Sequence, residues 1–249
     1  MLSVVFGALV IGLSLGLLGS GGSILTVPVL LYLVGMPPDL AIASSLLVVF
    51  GISLFSGLIK MQRRQVSWYH VMLFGLPGMA GTVIGATLGH LSSSHVQLTV
   101  FVLLMLAAAV LMWRSRVPDA AVAHGSAKPL PLLANGVVVG VITGFVGVGG
   151  GFLIVPALVL LARLPLALAT GTSLTIIAMN SAAGFAKYLQ SMSASAFDWQ
   201  VIAIMIGGGI AGSIAGIWVG ERIPRELMRK GFAVFLVLVA GVIFSQSVL

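Results

Sequence analysis

Apolar runs of about 17 to 25 residues recur from one end of the chain to the other, each long enough to cross roughly 30 Å of hydrocarbon at 1.5 Å per residue. Hydrocarbon offers no hydrogen-bond partner to the backbone, so spans of this length read as helices. With 59% hydrophobic and 7% charged residues among 249, the chain cannot cover a soluble globule of this size. An all-α polytopic membrane protein follows, with no soluble domain left over.

The runs between polar breaks give segments 2–18, 22–34, 39–60, 67–90 and 96–113, then 131–147, 151–162, 166–190, 199–220 and 229–247. Between the two sets lies "RSRVPDAAVAHGSAKPLP", rich in Pro, Gly, Ser and charge, which reads as a cytoplasmic linker. The expected organisation is a first transmembrane repeat over 1–113, a linker over 114–130 and a second repeat over 131–249. The first run begins at Leu2 with no Lys or Arg before it and no small-residue cleavage pattern after it, so no cleaved leader is expected.

The two sets are copies of each other. "GLLGSGGSILTVP", Gly16 to Pro28, aligns with "GFVGVGGGFLIVP", Gly144 to Pro156, and "AIASSL" aligns with "ATGTSL" at the same offset. Trp68 pairs with Trp199, and Gly81, Gly85 and Gly89 pair with Gly212, Gly216 and Gly220. Charge sets the orientation of the copies. Placing Lys60, Arg63, Arg64, Arg114, Arg116, Lys128, Arg222, Arg225, Arg229 and Lys230 on the cytoplasmic side leaves only Arg163 and Lys187 of the 12 Lys and Arg to be accounted for. Equivalent loops, 61–66 and 191–198, then face opposite sides. The expectation is two inverted-topology repeats of about five membrane segments each, both termini periplasmic, with the chain reversing at its Gly-rich breaks. Segment 23–34 spans only about 18 Å as a helix, so full crossing and re-entrant hairpin both fit.

Non-helical backbone at membrane depth leaves amides and carbonyls unpaired unless protein or a water-filled cavity satisfies them. Two such breaks, each directly before an apolar helix, point N-terminal amides toward one region, the arrangement by which inverted-repeat transporters hold anions. The candidate substrate-binding residues are therefore Gly19, Ser20, Gly21, Gly22 and Ser23 in the first break and Gly147, Gly149, Gly150 and Gly151 in the second. Ser44, Ser45, Thr172 and Ser173 lie at matched positions of the following helices. Asn180, whose repeat partner is Ile52, places an amide in the middle of an apolar helix. Set against this, glycines serve turns and close packing, and membrane Ser and Thr bond back to their own backbone. The four-residue ladders at Gly81, Gly85 and Gly89 and at Gly208, Gly212, Gly216 and Gly220 are assigned to packing. Lys187 is read as snorkelling to the outer interface, and Trp68, Tyr69, Trp113, Tyr188 and Trp199 as interfacial anchors.

Other chemistries lack their residues. Cysteine is absent, which removes disulfides and thiolate metal sites. His70, His90, His95 and His124 share no helical face or acidic companion, so no metal or other cofactor is expected. Asp39, Asp119, Asp198, Glu221 and Glu226 fall in or beside loops, leaving no acid–base constellation for an intramembrane hydrolase and no carboxylate for cation coupling. The formal charge of +7 records orientation in the bilayer and not nucleic-acid binding. The expected partners are a small anionic substrate and the lipid bilayer; homo-oligomerisation stays open.

The repeated "GxxGxGGGxxxxP" pattern and the following "GTSL" stretch resemble the TauE/SafE family of sulfite exporter-type permeases over nearly the whole chain. The second half carries the pattern at Gly144, Gly147, Gly149, Gly150, Gly151, Pro156 and Gly171 to Leu174; the first departs from it, with Ser23 at the last glycine and "IASSL" for "TGTSL". The resemblance implies export, and in some members uptake, of small sulfur oxyanions and organosulfonates across the bacterial inner membrane. An anion channel, an intramembrane enzyme and an assembly subunit are the competing readings.

Overall fold

In the computed structural model, residues 2–19, 21–114, 129–147, 151–220 and 222–248 are described. They form ten helical segments and one short 3-10 turn, Ala194–Ala196: α1 Leu2–Leu18, α2 Gly21–Pro28 with its continuation Val29–Leu33, α3 Pro38–Gln62, α4 Trp68–His90, α5 Ser94–Arg114, α6 Pro129–Val146, α7 Gly151–Leu160, α8 Leu166–Ser191, α9 Trp199–Gly220 and α10 Arg225–Val248. No strand occurs among the described residues. Six helices (α3, α4, α5, α6, α8 and α9) are long and apolar enough to cross a membrane, and the chain is a multi-pass membrane protein.

The segments match those expected from the apolar runs, with one informative difference. Helix α10 begins at Arg225, directly after Pro224, and so takes in a charged turn in which Lys230 reaches Glu226 at 2.8 Å. Proline just before a helix and an i,i+4 pair within its first turns favour helix over loop despite the charge. Prolines also explain two widened turns. Pro28 inside α2 and Pro77 in α4 have no N–H for the ladder, and π-helical geometry appears beside each, at Val29–Leu33 and Val71–Gly75.

The distribution of polarity is that of a protein in lipid. Phe6, Ile84, Leu103, Leu111, Trp218 and Leu238 face outward, whereas Ser23, Thr26, Ser44, Ser45, Ser53, Ser56, Thr172, Ser173, Asn180 and Ser181 are buried. Lipid supplies no hydrophobic drive between helices, so contact depends on small residues that let backbones meet. The glycine ladders do this here. On α1 and α9, Gly12 lies against Gly209 and Gly16 against Ser213; on α4 and α6, Gly140 lies against Gly78 and Gly144 against Thr82. Residue numbers rise together in both pairs, so each pair is parallel. The central helices α3 and α8 run antiparallel, with Leu46 beside Gly184 and Gly57 facing Thr175. α5 packs on α10, completing a set of contacts in which each helix of the first five meets one of the second five.

Trp68, Tyr69, Trp113 and Trp199 are about half exposed, as interfacial anchors should be. Tyr188 is not. It is 4% exposed, because its ring faces α4 and packs edge-on against His90.

Candidate functional site

Each glycine break begins with one left-handed residue. Gly19 has φ +71° and donates its N–H to the Leu15 carbonyl at 2.7 Å; Gly147 has φ +74° and donates to Thr143 at 3.0 Å. Only glycine adopts this conformation without cost, and here a side chain also has no room. A Cβ on Gly19 would meet the Thr170 methyl, and one on Gly147 would meet Ile42. After the first break the chain turns back: Gly22 lies against Ile11 and Leu15, and Val29 against Gly7, so α2 runs antiparallel to α1. Thr26 Oγ1 donates to the Gly22 carbonyl at 2.9 Å, which satisfies one acceptor within α2.

Each break is held by the central helix of the other half. The Ser173 hydroxyl lies 3.0 Å from the Gly19 carbonyl and 2.8 Å from that of Thr170, and the Ser45 hydroxyl lies 3.0 Å from the Gly147 carbonyl and 2.7 Å from that of Ile42. These contacts bring Gly19 together with Ser173, and Gly147 together with Ser45. They do not bring the two breaks to one region, as the sequence reading expects. Ser45 and Ser173 hold equivalent places on antiparallel helices, each about 10 Å along its helix from the central crossing. The breaks therefore lie on opposite sides of the bundle's middle, separated by roughly 20 Å along it. Inverting one of two identical helices moves every off-centre feature to the other side.

The remaining candidates divide by partner. The Thr172 hydroxyl accepts the Ser67 N–H at 2.9 Å and so fixes the loop after α3. Ser23 is fully buried in α2. Ser44 is 1% exposed and its hydroxyl has no partner. Asn180 is fully buried on α8 beside Gly78, with neither amide atom partnered. Gly21 and Gly151 open α2 and α7. Ser20, Gly149 and Gly150 lie outside the described residues, as do linker residues 115–128.

Three polar residues escape the sequence reading. Ser53 and Ser181 are fully buried with unpartnered hydroxyls, on α3 and α8 near their crossing. The offset that pairs Ser45 with Ser173 also pairs these two, so the duplication holds the signal. Lys60, counted only as a cytoplasmic charge, is 6% exposed and donates to Gln65 Oε1 at 2.9 Å. It lines a cavity of about 210 Å³ beside Gly16, Leu17 and Thr170, next to the first break. At the other end a cavity of about 310 Å³ is lined by Thr87, His90, Lys187 and Tyr188. Among the described residues no group of His, Asp and Glu has metal-binding geometry.

The family described as "Sulfite exporter TauE/SafE" matches residues 4–243. A "Probable membrane transporter protein" of Xylella fastidiosa (strain 9a5c) is 33% identical over 243 residues, covering 95% of this chain and 92% of the relative. "Probable membrane transporter protein YunE" of Bacillus subtilis (strain 168) is 27% identical, covering 96% and 95%. "Probable membrane transporter protein MJ0441" of Methanocaldococcus jannaschii is 25% identical, covering 94% and 91%. No solved structure matches the chain. A match spanning nearly the whole chain, on a helical bundle whose interior carries the polar residues, identifies it as a membrane transporter and not an enzyme: the chain belongs to the TauE/SafE family.

Proposed function

We propose that this protein carries small sulfur-containing oxyanions or organosulfonates, with sulfite as the type, outward across the bacterial inner membrane by alternating access. The observation that carries the reading is the reciprocal seating of the breaks, Ser173 on Gly19 and Ser45 on Gly147, at opposite levels of one bundle. Two equivalent plugs on either side of a central region are what an alternating mechanism needs: releasing one while the other stays seated opens the centre to one side only.

The halves 1–113 and 131–249 are inverted repeats in this reading. Support comes from the antiparallel crossing of the equivalent helices α3 and α8 and from the lysine and arginine distribution. The central region offers the Asn180 amide and the hydroxyls of Ser53 and Ser181, whose unpartnered atoms are costly to bury unless a ligand uses them. Neutral donors suit an oxyanion, which accepts hydrogen bonds on every oxygen and binds without being trapped by a full charge. Residues Gly19 to Ser23 and Gly147 to Gly151 then act as gates whose amides at the starts of α2 and α7 meet the anion in passage.

The test is flux of labelled sulfite, thiosulfate, an alkanesulfonate and a carboxylate in reconstituted vesicles, with counterflow measured for any anion that moves. Saturable flux of a sulfur oxyanion with counterflow is expected. No flux of any of them rejects the substrate class, and flux without counterflow rejects alternating access in favour of a channel.

A further inference from the structure

A buried ammonium at the end of a membrane-crossing helix is expensive, and Lys60 is the one that the described residues place in a cavity next to a gate. We propose that this cavity is an anion-capture site at the inner face, with Lys60 as its charged contact and as a determinant of which side loads; the inference rests on the anion-transport reading above. The surroundings are built and not accidental. Gln65, which takes the Lys60 Nζ hydrogen bond, is fixed by its own N–H to the Lys60 carbonyl at 2.9 Å and by its carbonyl packing on Gly171, where any Cβ would collide. Ser67 ties the same loop to Thr172 at 2.9 Å, and Arg64 at φ 56° makes the tight reversal that aims Gln65 back at Lys60. The ammonium is thereby oriented before any anion arrives.

The cavity also leads somewhere. Thr170 lines it and touches Gly19 on its other side, so one residue separates the cavity from the first gate. At about 210 Å³ the space is several times the ~30 Å³ share of one water and takes a small oxyanion with part of its hydration. Arg63, Arg64 and Arg222 lie at this end, which the positive-inside rule puts in the cytoplasm.

The opposite cavity lacks the feature. The repeat offset puts Tyr188 where Lys60 stands, so the counterpart has a buried phenol, with Lys187 and His90 nearby. A fixed buried cation at one end only makes the two loading reactions unequal. The inner face should saturate at lower anion concentration than the outer, which suits an exporter drawing on a dilute internal pool.

The experiment measures half-saturation for labelled sulfite separately from each face, using vesicles of defined orientation at zero membrane potential. Lys60→Gln is expected to raise the inner value at least tenfold and the outer value less than twofold, while Lys60→Arg stays within threefold of wild type. Because equal concentrations at zero potential give no net flux, the ratio of outward to inward maximal rates must rise by the same factor as the ratio of inner to outer half-saturation, a shift that a merely less stable protein would not produce. Lys230→Gln, which removes an exposed charge from the same end, should change neither value. If Lys60→Gln does not purify as a monodisperse protein, Gln65→Ala serves in its place, with an expected inner rise of threefold or more. Unchanged inner half-saturation in whichever variant is measured overturns the capture site while leaving transport standing; absence of sulfite flux in the wild type overturns the transport reading, and the capture site with it.

Discussion

Replacing Asn180 by Leu separates function from stability. The side chain is fully buried beside Gly78, where a Cβ would lie 3.3 Å from Nδ2 and 3.4 Å from Oδ1, and neither atom has a partner. An unsatisfied buried polar atom costs about 1–3 kcal/mol. Leu branches at the same carbon, so its two methyls take the places of Oδ1 and Nδ2 with little change of shape. Removing two such atoms at the low end of the range stabilises the protein by about 2 kcal/mol. For a chain of this size that corresponds to a rise of about 4–8 °C in melting temperature. The assay is thermal unfolding of purified protein in detergent, followed by intrinsic fluorescence, with sulfite flux measured in parallel. Asn180→Leu should melt higher and transport at least tenfold more slowly, whereas Asn180→Ala, which leaves a void, should melt lower than wild type. A lower melting temperature for Asn180→Leu would refute the reasoning, because it would mean that the amide is satisfied by the fold itself.

Gly85→Leu should abolish a monodisperse peak in size-exclusion chromatography, since its side chain would strike the Val141 carbonyl and backbone cannot yield as a side chain can; a normal peak would show that α4 and α6 do not meet there. Ser45→Ala and Ser173→Ala each remove one gate contact worth about 0.5–1.5 kcal/mol, so each should change sulfite flux by about two- to tenfold in a folded protein, and an unaltered double variant would exclude the hydroxyls from gating. Single cysteines at Arg63 and Ser193, in a chain with none of its own, should label from opposite faces; labelling from one face contradicts the inverted arrangement. Carriage of a monovalent anion without a coupling carboxylate should follow a potassium diffusion potential, worth about 2.3 kcal/mol or roughly fifty-fold at equilibrium per 100 mV, and flux driven only by a proton gradient would reject electrogenic uniport.

The positions of the helices were legible because apolar run length is a direct consequence of bilayer thickness, and because glycine and proline punctuate the runs where the helices end or widen. The packing role of the ladders was legible for the same kind of reason: Gly81, Gly85, Gly212 and Gly216 recur at a spacing that puts them on one helix face, and each meets neighbouring backbone. The site was less legible. Lys60 stands beside Arg63 and Arg64, and a cluster of basic residues at the end of a run reads as solvated charge; only the loop that folds Gln65 back over it reveals a buried group. Ser53 and Ser181 were hidden by their neighbours, because a lone serine in an apolar helix bonds to its own backbone by default, as Ser56 does to Ile52 at 2.8 Å.

The separation of the two breaks changes what each part of the duplication can do. In an inverted pair of halves, a feature away from the middle of a helix occurs twice at two levels, whereas a feature near the crossing of α3 and α8 occurs twice at one level. The proposed mechanism needs gates that are off-centre and alike, and Gly19 with Ser173 and Gly147 with Ser45 meet that need. A binding position near the middle has no such requirement. At the equivalent places nearest the crossing, Ile52 lies against Gly209 of α9 and Asn180 against Gly78 of α4, so one side of the crossing carries an apolar wall and the other an amide. The paired Ser53 and Ser181 one residue further on keep the symmetry that Asn180 breaks. Exchanging the two, Ile52→Asn with Asn180→Ile, moves the amide from beside Gly78 to beside Gly209 while conserving composition; substantial recovery of sulfite flux relative to Asn180→Ile alone is expected if the amide serves equally on either side of the crossing, and no recovery would mean that only the α4 side holds the anion.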